Sequence, residues 1–151
     1  MSFEERNTVV GILISLISWG LMVSVLFRRH SAGAYDGADG PMLWARSVLW
    51  LILISLGIGI ALTILFNIGY AVVTGERKPV FLKDERDSQI GLLGLQVTLV
   101  VMSVGIVGAI VALAFGVGVL MVLNIVLAAC ATGDMAGTLT KLALYRRGFV
   151  A

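Results

Sequence analysis

Long uncharged stretches alternate with short charged ones along this chain. Thr8 to Phe27, Ser47 to Val73 and Ile90 to Gly133 contain no Asp, Glu, Lys or Arg. A helix needs roughly 20 apolar residues to cross a bilayer. The first two stretches therefore supply one span each, and the third is long enough for two. Its natural break is AFGVG (Ala114 to Gly118), where paired glycines permit the backbone of a tight turn. The pattern predicts a single all-α transmembrane domain, an integral membrane four-helix bundle with spans at about 8–27, 47–73, 90–115 and 118–144.

Composition agrees with that reading. Of 151 residues, 59% are apolar and 13% charged, and the mean hydropathy is +1.02, outside the usual balance of a soluble domain. An A-x-A pattern at Ala32 and Ala34 resembles a signal-cleavage site. The apolar run before it is too long, the leader MSFEER is not basic, and Arg28 and Arg29 intervene, so the first helix is expected to stay. The net charge is +2 with basic residues scattered, which is no nucleic-acid footprint. Cys130 is the one cysteine, so no intramolecular disulfide forms.

With four spans, both ends share a side with the connection between the second and third. Eight basic residues fall there (Arg6, Arg77, Lys78, Lys83, Arg86, Lys141, Arg146, Arg147), against Arg28, Arg29 and Arg46 opposite. The positive-inside rule puts both termini in the cytoplasm. In a bacterium, HSAGAYDGADGPML would then face the periplasm, with Trp44 and Trp50 as interfacial anchors. Asp36 and Asp39 are too few oxygens for calcium and read as a turn.

One acid departs from the pattern. Asp134 follows the uncharged run, and an unpaired Asp at a helix centre costs ~2.5 to 3.5 kcal/mol on insertion scales. If the last two helices run antiparallel from a turn near Gly116, residues at one height have numbers that sum to about 232. Thr98 then comes level with Asp134, with Gln96 close by. Depth counted from the turn puts Asp134 a few ångströms inside the cytoplasmic boundary. Gln96, Thr98, Thr138 and Lys141 are its expected partners, Lys141 by snorkelling. Beside the acid run Ala129, Gly133 and Gly137, a small residue at every fourth position, which lets helices approach closely in lipid. Gly105, Gly108, Gly57 and Gly59 extend that theme. The favoured role for these glycines is packing within the bundle, and self-association is the alternative.

The same hairpin geometry brings Asp84, Glu85 and Asp87 level with Arg146 and Arg147, a cytoplasmic charge pairing. Pro79 interrupts the preceding segment. Asp84 then caps the third helix, with Asp87 at its third position, where acids favour the positive end of the helix dipole. The alternative is that this loop docks a partner protein.

Catalysis needs convergent polar groups, and the spans offer few. His30 is the only histidine, so two histidines of one chain cannot hold a haem. Neither zinc spacing nor a phosphate loop occurs. No catalytic residue, metal or cofactor is predicted, and no enzyme class is supported. Apolar grooves leave a bound lipid, quinone or pigment open. An intramembrane acid is a functional candidate, so Asp134 could carry a proton or cation, with Asn124 and Asn67 along the route.

MSFEER, KDERDSQIGLLG and KLALYRRGF together resemble a family of small, uncharacterised bacterial inner-membrane proteins with four spans. In that family a D-E-R-D-x-x-I block precedes a glycine-rich helix and the last helix ends in Y-R-R-G. The resemblance carries over Asp84, Glu85, Arg86, Asp87, Ile90, Tyr145, Arg146, Arg147 and Gly148. It implies the topology and a bacterial inner membrane, and no chemistry. The expectation is a non-enzymatic accessory or interaction protein, partnered by lipids and by other membrane subunits or itself. A small proton- or ion-coupled transporter or channel using Asp134 is the alternative.

Overall fold

A computed structural model describes residues 3–74 and 85–147 and the side chains of 6–73 and 85–146. Four helices follow in order: α1 (Phe3–Ser31), α2 (Gly40–Thr74), α3 (Glu85–Ala114) and α4 (Val119–Arg147). All four are long and apolar enough to cross a membrane, and the protein is an all-α, four-helix membrane bundle.

The helices outrun the apolar stretches because their ends are capped by other means. In α1, Arg28, Arg29 and His30 occupy the last turn, where cations complement the dipole. Gly33 N–H then bonds the His30 carbonyl and Ala34 N–H that of Arg29, with Gly33 at φ +72°, a Schellman ending. Helix α2 starts seven residues before the uncharged stretch. Leu43 N–H bonds the Asp39 carbonyl, so Asp39 is the N-cap. Pro41 falls in the first turn, where its missing N–H costs nothing. The two loop aspartates therefore shape a turn and a helix start.

The fold-back between α3 and α4 lies where the glycines put it. Gly116 N–H bonds Leu113 O and Val117 N–H bonds Ala112 O, with Gly116 at φ +82°. This is a second Schellman ending, in which the left-handed residue must lack a Cβ to be unstrained. Gly118 has no positive φ, so one glycine of the pair makes the turn. Helix α3 begins at Glu85, which places Asp87 at its third position as the capping argument requires. Asp84 and Pro79 lie outside the described residues.

Helix α4 is the hub. It packs most extensively on α3, then on α1 and, more lightly, on α2, while α1 and α2 form the other hairpin. Helix α3 is therefore an edge, held almost entirely by α4. The main core cluster sits near the α1–α2 loop and comprises Met22, Leu26, Tyr35, Trp44, Val48 and Leu51, with Leu120, Leu123 and Leu127 of α4 packed against it. Trp44 is 7% exposed and donates from Nε1 to Asn124 Oδ1 at 3.2 Å. It is a core residue and not the expected interfacial anchor, because the early start of α2 turns it inward. Trp50, 67% exposed, faces outward. Two arginines tie α1 to α2: Arg29 donates to Ser47 Oγ at 2.8 Å, and Arg6 reaches Asn67 Oδ1 at 3.5 Å while lying 3.9 Å over the Tyr70 ring.

Candidate functional site: an intramembrane acid between two faces of α4

The α3–α4 seam is set by residues too small to hold the helices apart. A Cβ on Gly105 would strike Ala129, one on Gly133 would lie 2.5 Å from Met102 Cγ and 3.0 Å from Thr98 O, and one on Gly137 would lie 2.6 Å from Gly94 O. A Cβ on Gly94 would lie 2.5 Å from Cγ and Cε of Lys141, whose stem covers that position. Gly94–Lys141, Thr98–Gly137, Met102–Gly133 and Gly105–Ala129 thus form a ladder in which about four residues on α3 match four on α4. Four of the five expected packing residues, Ala129, Gly133, Gly137 and Gly105, belong to it. Gly108 does not: a Cβ there would meet nothing within 4 Å, and neighbouring Ala109 is the buried residue. Gly59 touches Ile14 of α1, while Gly57 faces open space.

The ladder sets Thr98 level with Gly137, so Asp134 lies three residues, ~4.5 Å along the axis, from that level, and the two do not meet. Thr98 faces Gly133 and Gly137, and its hydroxyl donates to its own helix at Gly94 O, 3.1 Å away. Gln96 is exposed, two residues and so ~200° around α3 from Gly94, which points it away from α4. Thr138 Oγ1 donates to the Asp134 backbone carbonyl at 2.8 Å and leaves the carboxylate alone. Lys141 is committed over Gly94, and among the described residues no ion pair joins it to Asp134. The expected partner cluster is therefore corrected. Asp134 follows Gly133 by one residue, a rotation of ~100°, which carries it out of the α3 seam and onto the α1 side.

There its carboxylate accepts a hydrogen bond from Ser15 Oγ at 2.7 Å. This contact also revises the depth. Ser15 stands nine residues after Arg6 and thirteen before Arg28, about 14 Å and 20 Å at ~1.5 Å per residue. The acid is thus well inside the membrane-spanning part of α1. Counting from the α3–α4 turn gave a shallower site because that turn projects beyond the level of Arg28: Leu120, just after it, lines the same cavity as His30. Asp134 is exposed, and among the described residues its carboxylate has a single neutral hydroxyl as partner.

On the loop side of this pair, α1, α4 and the start of α2 form a laterally open cavity of about 650 Å³. Its walls include Trp19, Phe27, His30, Tyr35 and Trp44, and its deep end is formed by Trp19, Ala131 and Thr132. His30 and Tyr35 stack at 6.5 Å between ring centroids. The Tyr35 hydroxyl is buried with no hydrogen-bond partner. Sequence reasoning missed this cavity because its aromatic residues are spread over two helices and a loop.

At the terminal end, the fold-back puts the first turn of α3, with Glu85 and Asp87, beside the last turn of α4, with Arg146 and Arg147. Among the described residues, Asp87 and Arg146 form no ion pair. Asp84 and the Arg147 side chain lie outside the described residues. Ile90, 0% exposed, is the most buried large side chain, so its position in the D-E-R-D-x-x-I block is explained by packing. Asn124 and Asn67, expected along a polar route, are engaged by Trp44 and Arg6 respectively, at opposite ends of the bundle. Comparison with protein-family models, curated proteins and solved structures gives no match.

Proposed function

We propose that this is a non-enzymatic integral membrane protein that acts as an accessory or interaction subunit, joining a larger membrane complex or copies of itself. The observation that carries the reading is the edge position of α3. One side of α3 is closed by the glycine ladder, and the other presents Leu92, Leu99, Val100, Val107 and Ile110 with Gln96 among them. A polar amide on a lipid-facing helix gains from an interhelical partner, and among the described residues Gln96 makes no hydrogen bond. The resemblance of the D-E-R-D-x-x-I and Y-R-R-G blocks to bacterial four-span proteins supports a bacterial inner membrane. The excess of basic residues supports cytoplasmic termini.

The test is purification in mild detergent, with the mass of the assembly and the co-purifying chains determined for wild type and Gln96→Leu. A stable larger assembly that Gln96→Leu weakens supports the reading. An isolated chain that catalyses ion flux in vesicles overturns it. That second outcome is favoured by one observation, the exposed carboxylate of Asp134 deep in the span with only Ser15 for company, and flux abolished by Asp134→Asn would assign a transporter.

A further inference from the structure

We propose that the cavity between α1 and α4 binds a hydrophobic organic cation whose charge is countered by Asp134. This goes beyond the accessory role, which depends on assembly and not on this site.

The carboxylate lies one helical turn beyond the residues that line the far end of the cavity. Trp19 and Ala131 line that end, Ser15 precedes Trp19 by four residues, and Asp134 follows Ala131 by three. Both members of the Ser15–Asp134 pair are therefore one helical turn beyond the cavity on the same faces that line it. Side chains on a helix lean toward its N-terminus. The Asp134 carboxylate accordingly leans back toward Ala131, the side on which the cavity lies.

The chemistry of this end is specific. An exposed carboxylate in a low-dielectric span gains most from a positive charge, and Ser15 Oγ, its only side-chain partner among the described residues, supplies none. The aromatic walls at Trp19, Phe27, Tyr35 and Trp44 suit a cation twice, through apolar contact and through the negative faces of the rings. The volume falls within the ~300–1,000 Å³ range of small-molecule sites. A neutral amphiphile would use the walls and leave the acid unanswered, and an anion would be repelled by it.

The test uses the full chain in detergent with Trp50→Phe as background. Only Trp19 and Trp44 then report, since the chain has three tryptophans. Tetraphenylphosphonium is titrated against tetraphenylborate, its anionic isostere. The expected result is saturable binding of the cation alone, weakened by about tenfold or more in Asp134→Asn, the size expected when one partner of a desolvated charge pair is removed. Asp134→Glu should retain it, and Ala131→Phe, which fills the deep end without adding a tryptophan, should abolish it. Equal binding of the two isosteres, or undiminished cation affinity in a folded Asp134→Asn, overturns the proposal. The comparison of isosteres on the background protein decides the matter even if the aspartate variants fail to fold.

Discussion

Adding a single methyl group at Gly137 should separate α4 from α3. In Gly137→Ala the new Cβ would strike Thr98 Oγ1, which a change of rotamer can withdraw, and would lie 2.6 Å from Gly94 O. Close C···O contacts between packed helices are ~3.3–3.6 Å, so the shortfall is about 0.7–1 Å. The Gly94 oxygen is backbone, which no rotamer can move, and the helices must part. A radial gap of that size forfeits about a quarter to a half of each ~0.1–0.2 kcal/mol atom–atom contact. Over a few tens of contacts along the ladder the loss comes to ~1–2 kcal/mol, within the ~1–3 kcal/mol usual for overpacking. Helix propensity acts the other way, favouring Ala over Gly by ~0.8–1 kcal/mol. Gly108→Ala provides the correction: it receives the same propensity gain, and its Cβ meets nothing within 4 Å. The assay is reversible unfolding of both variants in mixed micelles of mild detergent and SDS, followed by tryptophan fluorescence. Gly137→Ala should be less stable than Gly108→Ala by ~1–2 kcal/mol. Equal stability, or the reverse order, would refute a seam built on backbone approach.

A mutant cycle of Ser15→Ala with Asp134→Ala should give a coupling of ~0.6–1.7 kcal/mol, the range measured for hydrogen bonds between membrane helices. The cycle of Thr98→Ala with Asp134→Ala should be additive within ~0.5 kcal/mol, and the opposite ranking would return the acid to α3. Gly116→Ala should destabilise by ~1–2 kcal/mol because the left-handed conformation disfavours a Cβ, while Gly118→Ala, which has no positive φ and only exchanges the N-cap residue of α4 for a poorer one, should cost ~0.5–1 kcal/mol in the same unfolding assay. Tyr35→Phe removes a buried hydroxyl that has no partner, so it should be neutral or stabilise by up to ~1–3 kcal/mol. A loss of stability in Tyr35→Phe would show that the hydroxyl is engaged after all.

Height along the bundle was legible in the sequence, and rotation about the helix axes was not. Rise per residue is fixed at ~1.5 Å and the glycines at 116–118 mark the turn, so the small-residue ladder followed, with Thr98 within one helical turn of the level of Asp134. Rotation is ordinarily read from an apolar stripe against a polar face. In a membrane that contrast vanishes, because lipid is as apolar as a neighbouring side chain. Asp134 was therefore assigned to the helix adjacent in sequence, α3, when it belongs to α1. The same loss of contrast hid Trp44. A tryptophan near a span end suits the interface as well as the core, and only the early start of α2 at the Asp39 cap turns it inward.

Asp134 owes its situation to the division of α4 into two faces. Packing against α3 requires Ala129, Gly133 and Gly137 in line, and any larger side chain at those positions would part the helices. The tight seam also occupies Thr98 and Lys141, the groups at hand to hydrogen-bond or neutralise an acid: Thr98 is pressed against Gly137 and the Lys141 stem is laid across Gly94. One residue further round, Asp134 meets α1, which offers a single hydroxyl at 2.7 Å and, beyond it, the aromatic cavity. Close packing on one face thus leaves the acid on the other without a countercharge. An acid kept only for bundle stability would be better placed within reach of Lys141. Its position on the cavity side, where the described residues of the four helices supply no countercharge, is the observation on which the proposed cation site rests.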